Sequence, residues 1–480
     1  LYPLLLLWTD VVGLHLGALY AWLPPLLGLV ALIWRHRAWR PAQGWEALRR
    51  WAQSEAPWPD LTLLVLVGLV FGVRLVVVRT LEAPMWGDGF QHTMIAQLLV
   101  DNNGLFDSWE PYAAIDRFTY HFGFHSATAV LHWLTGLSVS QATLWMGQVL
   151  NGLAILALYP LAVRVTDNRW GGVWAVLLAG LLSPMPMFYV NWGRYTQLAG
   201  LVILPAAVWL TWEVVDRRER SKRLLALAVV VAGGLALTHY RVLIFYGAFA
   251  AALALVAWKR ESIVRLLAIG IGGGLFFLPW LVHAFGASFV HFFVIQATTP
   301  PAQAHSFTWQ YNAIGRLDTY LGPIWWLMMI LGLGMGLWSR RRGVLLTGLW
   351  WFLLLIATNP AWLSLPGMGI ISNFALFISV YIPAGLFSAV VVARLAQSRK
   401  ARRIVPALLA LLMVGLGLWG VRGQMRIPDP KQYALVTRPD VRAADWLREN
   451  TPPEAKLLVP FFSAYGGGVF VGGDGGWWLP

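Results

Sequence analysis

Cysteine is absent from the chain, which removes disulfides, thiolate metal sites and a cysteine nucleophile together. Charge is scarce as well. Only 12% of the residues are Asp, Glu, Lys or Arg, while 58% are hydrophobic, against ~25% charged in an ordinary soluble domain. Acidic residues are rarer still, 22 against 36 basic ones. The resulting net charge of +14 does not indicate nucleic-acid binding, because the basic residues sit in short clusters between apolar runs, as membrane topology requires. No GKS or G-x-G-x-x-G frame accompanies the glycines at 472–476, so that run reads as a surface turn rather than a phosphate loop. There is no internal repeat at a solenoid period. No signal peptide is visible, and none is needed where a first spanning helix directs insertion. The chain begins inside an apolar run, Leu4 to Leu7, and ends in a Gly-Trp-rich stretch, which is expected of a piece cut at both ends.

What is present is a series of apolar runs, several reaching the ~20 residues that span a bilayer. Spans are expected at Val11–Trp34, kinked at Pro24-Pro25, and at Leu61–Thr80. Others are expected at about 140–163, 170–190, 195–215, 223–238, 241–258, 263–285, 322–338, 343–357, 371–393 and 404–421. The expected fold is an all-α polytopic membrane protein of about twelve transmembrane helices. Residues 1–60 supply extra N-terminal segments and a loop, and 61–421 the transmembrane module. The tail 422–480 reads as the start of a water-soluble α/β domain. In that tail Val441–Asn450 is helical with Asp440 as N-cap, Pro452-Pro453 ends the helix, and Lys456–Phe462 reads as a strand.

The basic residues orient the chain. One set of loops carries Arg35 to Arg50, Arg164 and Arg169, Arg217 to Arg223, Lys259 to Arg265, Arg340 to Arg342 and Arg394 to Arg403. The alternate loops carry only Arg79, Arg117, Arg194, Arg241 and Arg316. The first set is therefore expected in the cytoplasm. The loops 81–138 and 286–322, the turns at 191–195 and 238–241, and the tail are expected outside a plasma membrane.

The outside loop 81–138 is the polar centre of the chain. It opens with Trp86-Gly87-Asp88-Gly89-Phe90-Gln91-His92 and holds six acidic residues: Glu82, Asp88, Asp101, Asp107, Glu110 and Asp116. Two short interfacial helices are expected in it, Phe90–Val100 and Tyr120–Thr135. A carboxylate held at the mouth of a helical bundle is a candidate site, or else a Gly-Asp-Gly turn residue. Four outside features are expected to converge: Asp88 with His92, His121 with His125, Arg194 with Tyr195, and His239 with Arg241. An Arg fork beside Tyr and His donors suits a phosphate, or anchors a helix end at the headgroups. His121 and His125, spaced i and i+4, could share a metal or be locally hydrogen-bonded. Arg74, ~9 Å deeper along its helix than Thr80, is expected to snorkel to the same surface.

With these residues in hand, the layout of 61–480 resembles the GT-C superfamily of integral-membrane glycosyltransferases, which includes polyprenyl-phosphate-sugar-dependent mannosyl- and arabinosyltransferases. The resemblance lies in an acidic first outside loop with short interfacial helices, a long outside loop after the seventh module helix, and a soluble tail. It implies transfer of a sugar from a polyprenyl-phosphate-linked donor to an acceptor at the outer surface. Asp88 would be the base, with His92 orienting either its carboxylate or the acceptor. Arg194, Tyr195, His121, His125, His239 and Arg241 would line the donor-phosphate and substrate site, and the anomeric centre would invert. Asp88 stands between glycines rather than in the superfamily's Asp-Glu or Asp-x-Asp pair, so no cofactor is expected, and a divalent metal is left open without the support of such a pair. The expected partners are the lipid-linked donor, membrane lipids and an acceptor of unstated class, with no nucleic acid. The rival readings are a transporter or lipid flippase, against which stands the lack of an inverted repeat, and a non-catalytic scaffold.

Overall fold

The computed structural model describes residues 1–37, 41–54, 57–113, 115–217, 221–284, 286, 312–367, 370–397, 404–452, 454–457, 460–464 and 469–472. The helices up to residue 284 are α1 (Tyr2–Asp10), α2 (Leu19–His36), α3 (Pro41–Gln53), α4 (Pro57–Val78), α5 (Trp86–Asp101), α6 (Gly123–Thr135) and α7 (Val139–Leu156). They continue with α8 (Leu158–Thr166), α9 (Arg169–Leu177), α10 (Tyr189–Trp192), α11 (Tyr195–Asp216), α12 (Lys222–Thr238), α13 (Tyr240–Val256) and α14 (Arg260–Ala284). The main helices beyond them are Pro323–Trp338, Arg342–Thr358, Tyr381–Ala396, Val405–Gln424 and Arg438–Asn450.

Among the described residues, six helical stretches are long and apolar enough to cross a membrane: Pro57–Val78, Val139–Thr166, Tyr195–Asp216, Arg260–Ala284, Asn373–Ala396 and Val405–Gln424. Four shorter apolar helices, Arg169–Leu182, Tyr240–Val256, Pro323–Trp338 and Arg342–Thr358, accompany them. The protein is a helical membrane protein. Most of the expected runs match described helices closely, but two of them are bounded differently for local reasons. Val11–Trp34 is not one helix: α2 begins only at Leu19, after a turn containing Gly13 and Gly17 at positive φ. The run 170–190 stops at Leu182, where α9 ends in a π-helical turn. Pro184 and Pro186 follow, and neither has an N–H to continue the ladder.

Side-chain caps fix several starts. Ser138 accepts from the Gln141 N–H, Asn168 from Trp170, and Ser221 from Leu224. Each satisfies a backbone donor that the first helical turn leaves open. The main core gathers apolar residues of α7, α9, α11, α13 and Tyr381–Ala396. Two of its indoles have their polar atoms paired: Trp174 Nε1 donates to Ser388 Oγ at 2.8 Å and Trp350 Nε1 to the Phe245 carbonyl at 2.8 Å. Where lipid surrounds the bundle, an unpaired N–H would be more costly than in water.

Most of the expected outside loop 286–322 falls outside the described residues. In the tail, Asp440 is not the N-cap. Thr437 is, and Asp440 occupies the third helical position, accepting from the Thr437 N–H at 2.9 Å in a capping box. That swap follows from Pro439, which suits the first turn and moves the helix start upstream. Of the strand expected at Lys456–Phe462, residues 458 and 459 lie outside the described residues, and the described strand is Phe461–Ala464. It pairs antiparallel with Val469–Gly472, in the register Phe461 to Gly472. The glycines beyond Gly472 lie outside the described residues.

Candidate active site at the end of the bundle

The site begins with the way α5 starts. Asp88 is the third residue of this helix, inside the first turn, where the helix dipole favours a carboxylate. Trp86, its first residue, has φ of 64°, a left-handed conformation that costs a residue with a Cβ ~1–2 kcal/mol. The strain is held by packing, since the Trp86 ring meets Tyr433 of the tail edge-on at 5.7 Å.

Two glycines then bring a second segment onto this turn. Gly193, at φ 62°, closes the short α10 and hands the chain to α11. A Cβ on Gly193 would lie 2.6 Å from the Gly89 nitrogen and 2.8 Å from the Met85 carbonyl. The α10–α11 turn and the α5 start thus touch backbone to backbone, an approach only glycine permits. The contact delivers Arg194 to Asp88, with Nε 3.3 Å from Oδ2 and both side chains 24% exposed. The Arg194 guanidinium also lies over the Phe374 ring, 4.9 Å from its centroid, a cation–π contact. Burial pushes the Asp88 carboxyl above the usual carboxylate range, and the charge of Arg194 offsets part of that rise.

Behind the pair lies a histidine cluster. His92, one turn after Asp88, is buried and its Nδ1 is 3.2 Å from His125 Nε2. His121 stacks on Tyr120 at 4.0 Å and its ring centre is 4.4 Å from that of His239. His239 caps α13, its Nδ1 accepting from the Val242 N–H at 3.3 Å. Gly123 makes this possible: a Cβ there would sit 2.3 Å from Thr238 Oγ1, so the start of α6 presses on the end of α12. Desolvation holds the rings neutral. The His92 pKa is lowered to about 3, by burial first and by Arg194 second, and those of His121 and His125 lie well below the ordinary value for the same leading reason. Neither ring nitrogen of His121 has a hydrogen-bond partner among the described residues.

The expected convergence is therefore met for Asp88, His92, His121, His125, Arg194 and His239. Arg241 is exposed at the rim, close enough to act electrostatically on Tyr120, His121 and His239. Tyr195 is placed differently. It is fully buried, with its ring against Gly147 of α7 and 5.6 Å from Phe124. Helix α6 begins at Gly123 rather than Tyr120, so His121 precedes the helix that carries His125. Among the described residues no group of three His, Asp or Glu side chains is placed to hold a metal ion.

Arg74 corrects an expectation outright. It does not snorkel. It is 0% exposed, its Nε donates to Asn151 Oδ1 at 3.1 Å, and both terminal nitrogens lack a partner among the described residues. Neighbouring helices close over the side chain before it can reach the surface. Sequence reasoning also missed the Asp88–Arg194 pair and the part played by the tail. Asn191 donates to the Ile427 carbonyl and accepts from the Asp429 N–H, and Arg438 pairs with Glu82 at 3.0 Å. Trp86, Tyr433 and Asn191 carry no sequence signal for these long-range contacts.

The fold is similar to that of two solved membrane proteins. In structure the chain is similar to ArnT from Cupriavidus metallidurans, solved bound to undecaprenyl phosphate, with a TM-score of 0.55 and 16% identity over 86% of this chain and 83% of that one. It is also similar to the oligosaccharyltransferase of Archaeoglobus fulgidus, solved with zinc and sulfate, with a TM-score of 0.53, 14% identity and 82% of this chain covered. The chain spans about half that enzyme's length, 55%. No curated protein matches it in sequence. Residues 3–362 match the model of the family of unknown function DUF6541, and the chain belongs to that family.

Proposed function

We propose that the protein is a membrane glycosyltransferase that takes a sugar from a polyprenyl-phosphate-linked donor, with Asp88 as general base. The observation that carries this reading is the Asp88–Arg194 pair, 3.3 Å apart beside a neutral histidine cluster at one end of a GT-C bundle. The lipid carrier in the ArnT structure supports the donor class. The asymmetry of basic loops supports placing this end of the bundle outside the cytoplasm.

In the proposed reaction an acceptor hydroxyl gives its proton to Asp88 as its oxygen attacks the anomeric carbon. The bond from that carbon to the phosphate oxygen breaks, and polyprenyl phosphate leaves with the electron pair. One displacement inverts the centre. Burial raises the basicity of Asp88, which brings its proton affinity closer to working pH, where general bases are most effective. Arg194 counters the effect while it is paired. When a donor phosphate draws the guanidinium away, Asp88 becomes the stronger base. Arg241 at the rim supplies a second cation for the same phosphate. His121, with two unengaged ring nitrogens, is available to the substrate hydroxyls.

Asp88→Asn tests this. The side chain keeps its size and loses the base, so turnover falls ~10²–10⁴-fold while donor binding persists. Turnover is read as polyprenyl phosphate released from a panel of lipid-linked sugars by the purified protein in lipid nanodiscs. A near-normal rate in the variant removes Asp88 from the mechanism. The transporter reading draws on one observation, the fully buried Arg74, because an ionisable group inside a bundle often marks a transport path. It is favoured if Asp88→Asn is silent and Arg74→Met abolishes lipid translocation in proteoliposomes.

A further inference from the structure

At the other end of the bundle lies a cavity of 630 Å³ between the end of α11 and the starts of α12 and α14. Helix α11 separates it from the Asp88 site. That helix starts beside Arg194 and runs for 22 residues, ~33 Å at 1.5 Å per residue, about the full hydrocarbon thickness of a bilayer. The cavity belongs to the opposite leaflet.

Its chemistry divides into two parts. The polar part is cationic, with Arg217, Lys222, Arg260 and Arg265 against the single carboxylate of Glu261 among the described lining residues. Arg265 is committed to structure: its Nη1 donates to the carbonyls of Val214 and Arg217 at 2.7 and 2.6 Å and closes the end of α11. Arg217 is held by Glu213 at 3.2 Å. Lys222 and Arg260 form no ion pair with a carboxylate among the described residues, and each opens a long helix. Their charges therefore add to two helix N-termini that converge on the cavity. The other part is apolar. Val264, Leu267 and Ile271 on α14 and Leu227 on α12 are all about half exposed or more. They continue from the cavity along the outer surface of the bundle toward the middle of the membrane. A cationic recess that opens onto an apolar surface matches a molecule with an anionic head and a hydrocarbon tail, and basic pockets between membrane helices bind such headgroups.

We propose that this recess binds one anionic phospholipid of the leaflet opposite the Asp88 site, with its phosphate at Lys222 and Arg260 and an acyl chain along Val264 and Leu267. The lipid would tie the ends of α11, α12 and α14 together. The other ends of these helices present Arg194, His239 and the His283 contact to the Phe118 carbonyl.

The test uses the full chain purified in mild detergent and native mass spectrometry with phosphatidylglycerol, phosphatidylcholine and inorganic phosphate as probes. A Lys or Arg near a lipid headgroup is worth ~1 kcal/mol, so neutralising two weakens retention roughly thirtyfold. Phosphatidylglycerol is expected to stay on the wild-type chain through mild activation, phosphatidylcholine to be shed, and inorganic phosphate not to compete at millimolar concentration. The Lys222→Gln/Arg260→Gln variant is expected to lose phosphatidylglycerol. A control of equal charge, Arg340→Gln/Arg426→Gln, is expected to keep it. Equal retention by both double variants overturns the proposal, as does equal retention of phosphatidylcholine or full displacement by inorganic phosphate. Val264→Trp fills the apolar half and leaves the charges alone. It is expected to shed phosphatidylglycerol as well, and it decides the matter if the charge variant does not fold. Retention is expected unchanged in Asp88→Asn, so failure of the glycosyltransferase reading leaves this result untouched.

Discussion

Replacing Gly193 by Ala isolates the contact that builds the site. Two costs are combined in that change. The first is conformational: Gly193 has φ of 62°, where a Cβ costs ~1–2 kcal/mol. The second is steric: the new Cβ would stand 2.6 Å from the Gly89 nitrogen and 2.7 Å from its Cα. Carbon contacts relax only near ~3.5 Å, so the turn must retreat from α5 by roughly 0.8–0.9 Å. Those neighbours are backbone atoms in a helix start and cannot swing aside. The retreat carries Arg194 with it and opens the 3.3 Å pair with Asp88. A misplacement of ~1 Å at a catalytic group costs on the order of 10²-fold in rate, and that is the expected loss of turnover. Gly136→Ala is the matched control. Gly136 ends α6 at φ 70°, with no atom within 4 Å of its would-be Cβ. It pays the conformational cost alone and is expected to lower the melting temperature while leaving turnover intact. The assay is polyprenyl phosphate release, with unfolding followed by tryptophan fluorescence. Wild-type turnover in Gly193→Ala, or equal losses in both variants, would refute the argument that this glycine contact positions the chemistry.

Three further outcomes are expected. Arg241→Ala should weaken donor-lipid binding tenfold to a hundredfold, the worth of one charge-assisted hydrogen bond of ~1.5–3 kcal/mol; an unchanged dissociation constant would make Arg241 a headgroup anchor. Stability should fall with acidification below pH ~6.5, because an unfolded histidine takes a proton there while buried His92 does so only at about 3. The unfolded chain binds the extra proton across that window, so His92 alone contributes a slope of about 1.4 kcal/mol per pH unit, with the full stability present above it; a flat melting profile from pH 7.5 to 5 would contradict the cluster's burial. In a chain without cysteine, an impermeant thiol reagent on intact cells should label Asp116→Cys and spare Trp258→Cys, and the reverse pattern would invert the topology.

Composition alone made the chain a helical membrane protein, because runs such as Leu61–Val78 and Val405–Val421 are too apolar for anything else, and their helices appear within a few residues of where periodicity puts them. The Gly-Asp-Gly-x-x-His sequence likewise marked Asp88 and His92, since an acid beside glycines is conspicuous among hydrocarbon. What residue order could not supply is distance. Arg194 reads from sequence as a phosphate ligand at a helix end. Only the backbone contact of Gly193 on Gly89, two segments a hundred residues apart, makes it the partner of Asp88. Arg74 reads as a snorkelling cation, and Tyr195 as a donor to the substrate. Packing of α7 against α4 and α11 encloses both, because what a side chain can reach is decided by the neighbouring helices and not by its own. Val11–Trp34 shows the same limit along the chain: apolar character extends through the run, but glycines at positive φ break it at a turn that hydropathy does not register. Sequence fixes which surfaces must leave water; the choice of which of them meet is made by close contacts that only the folded chain contains.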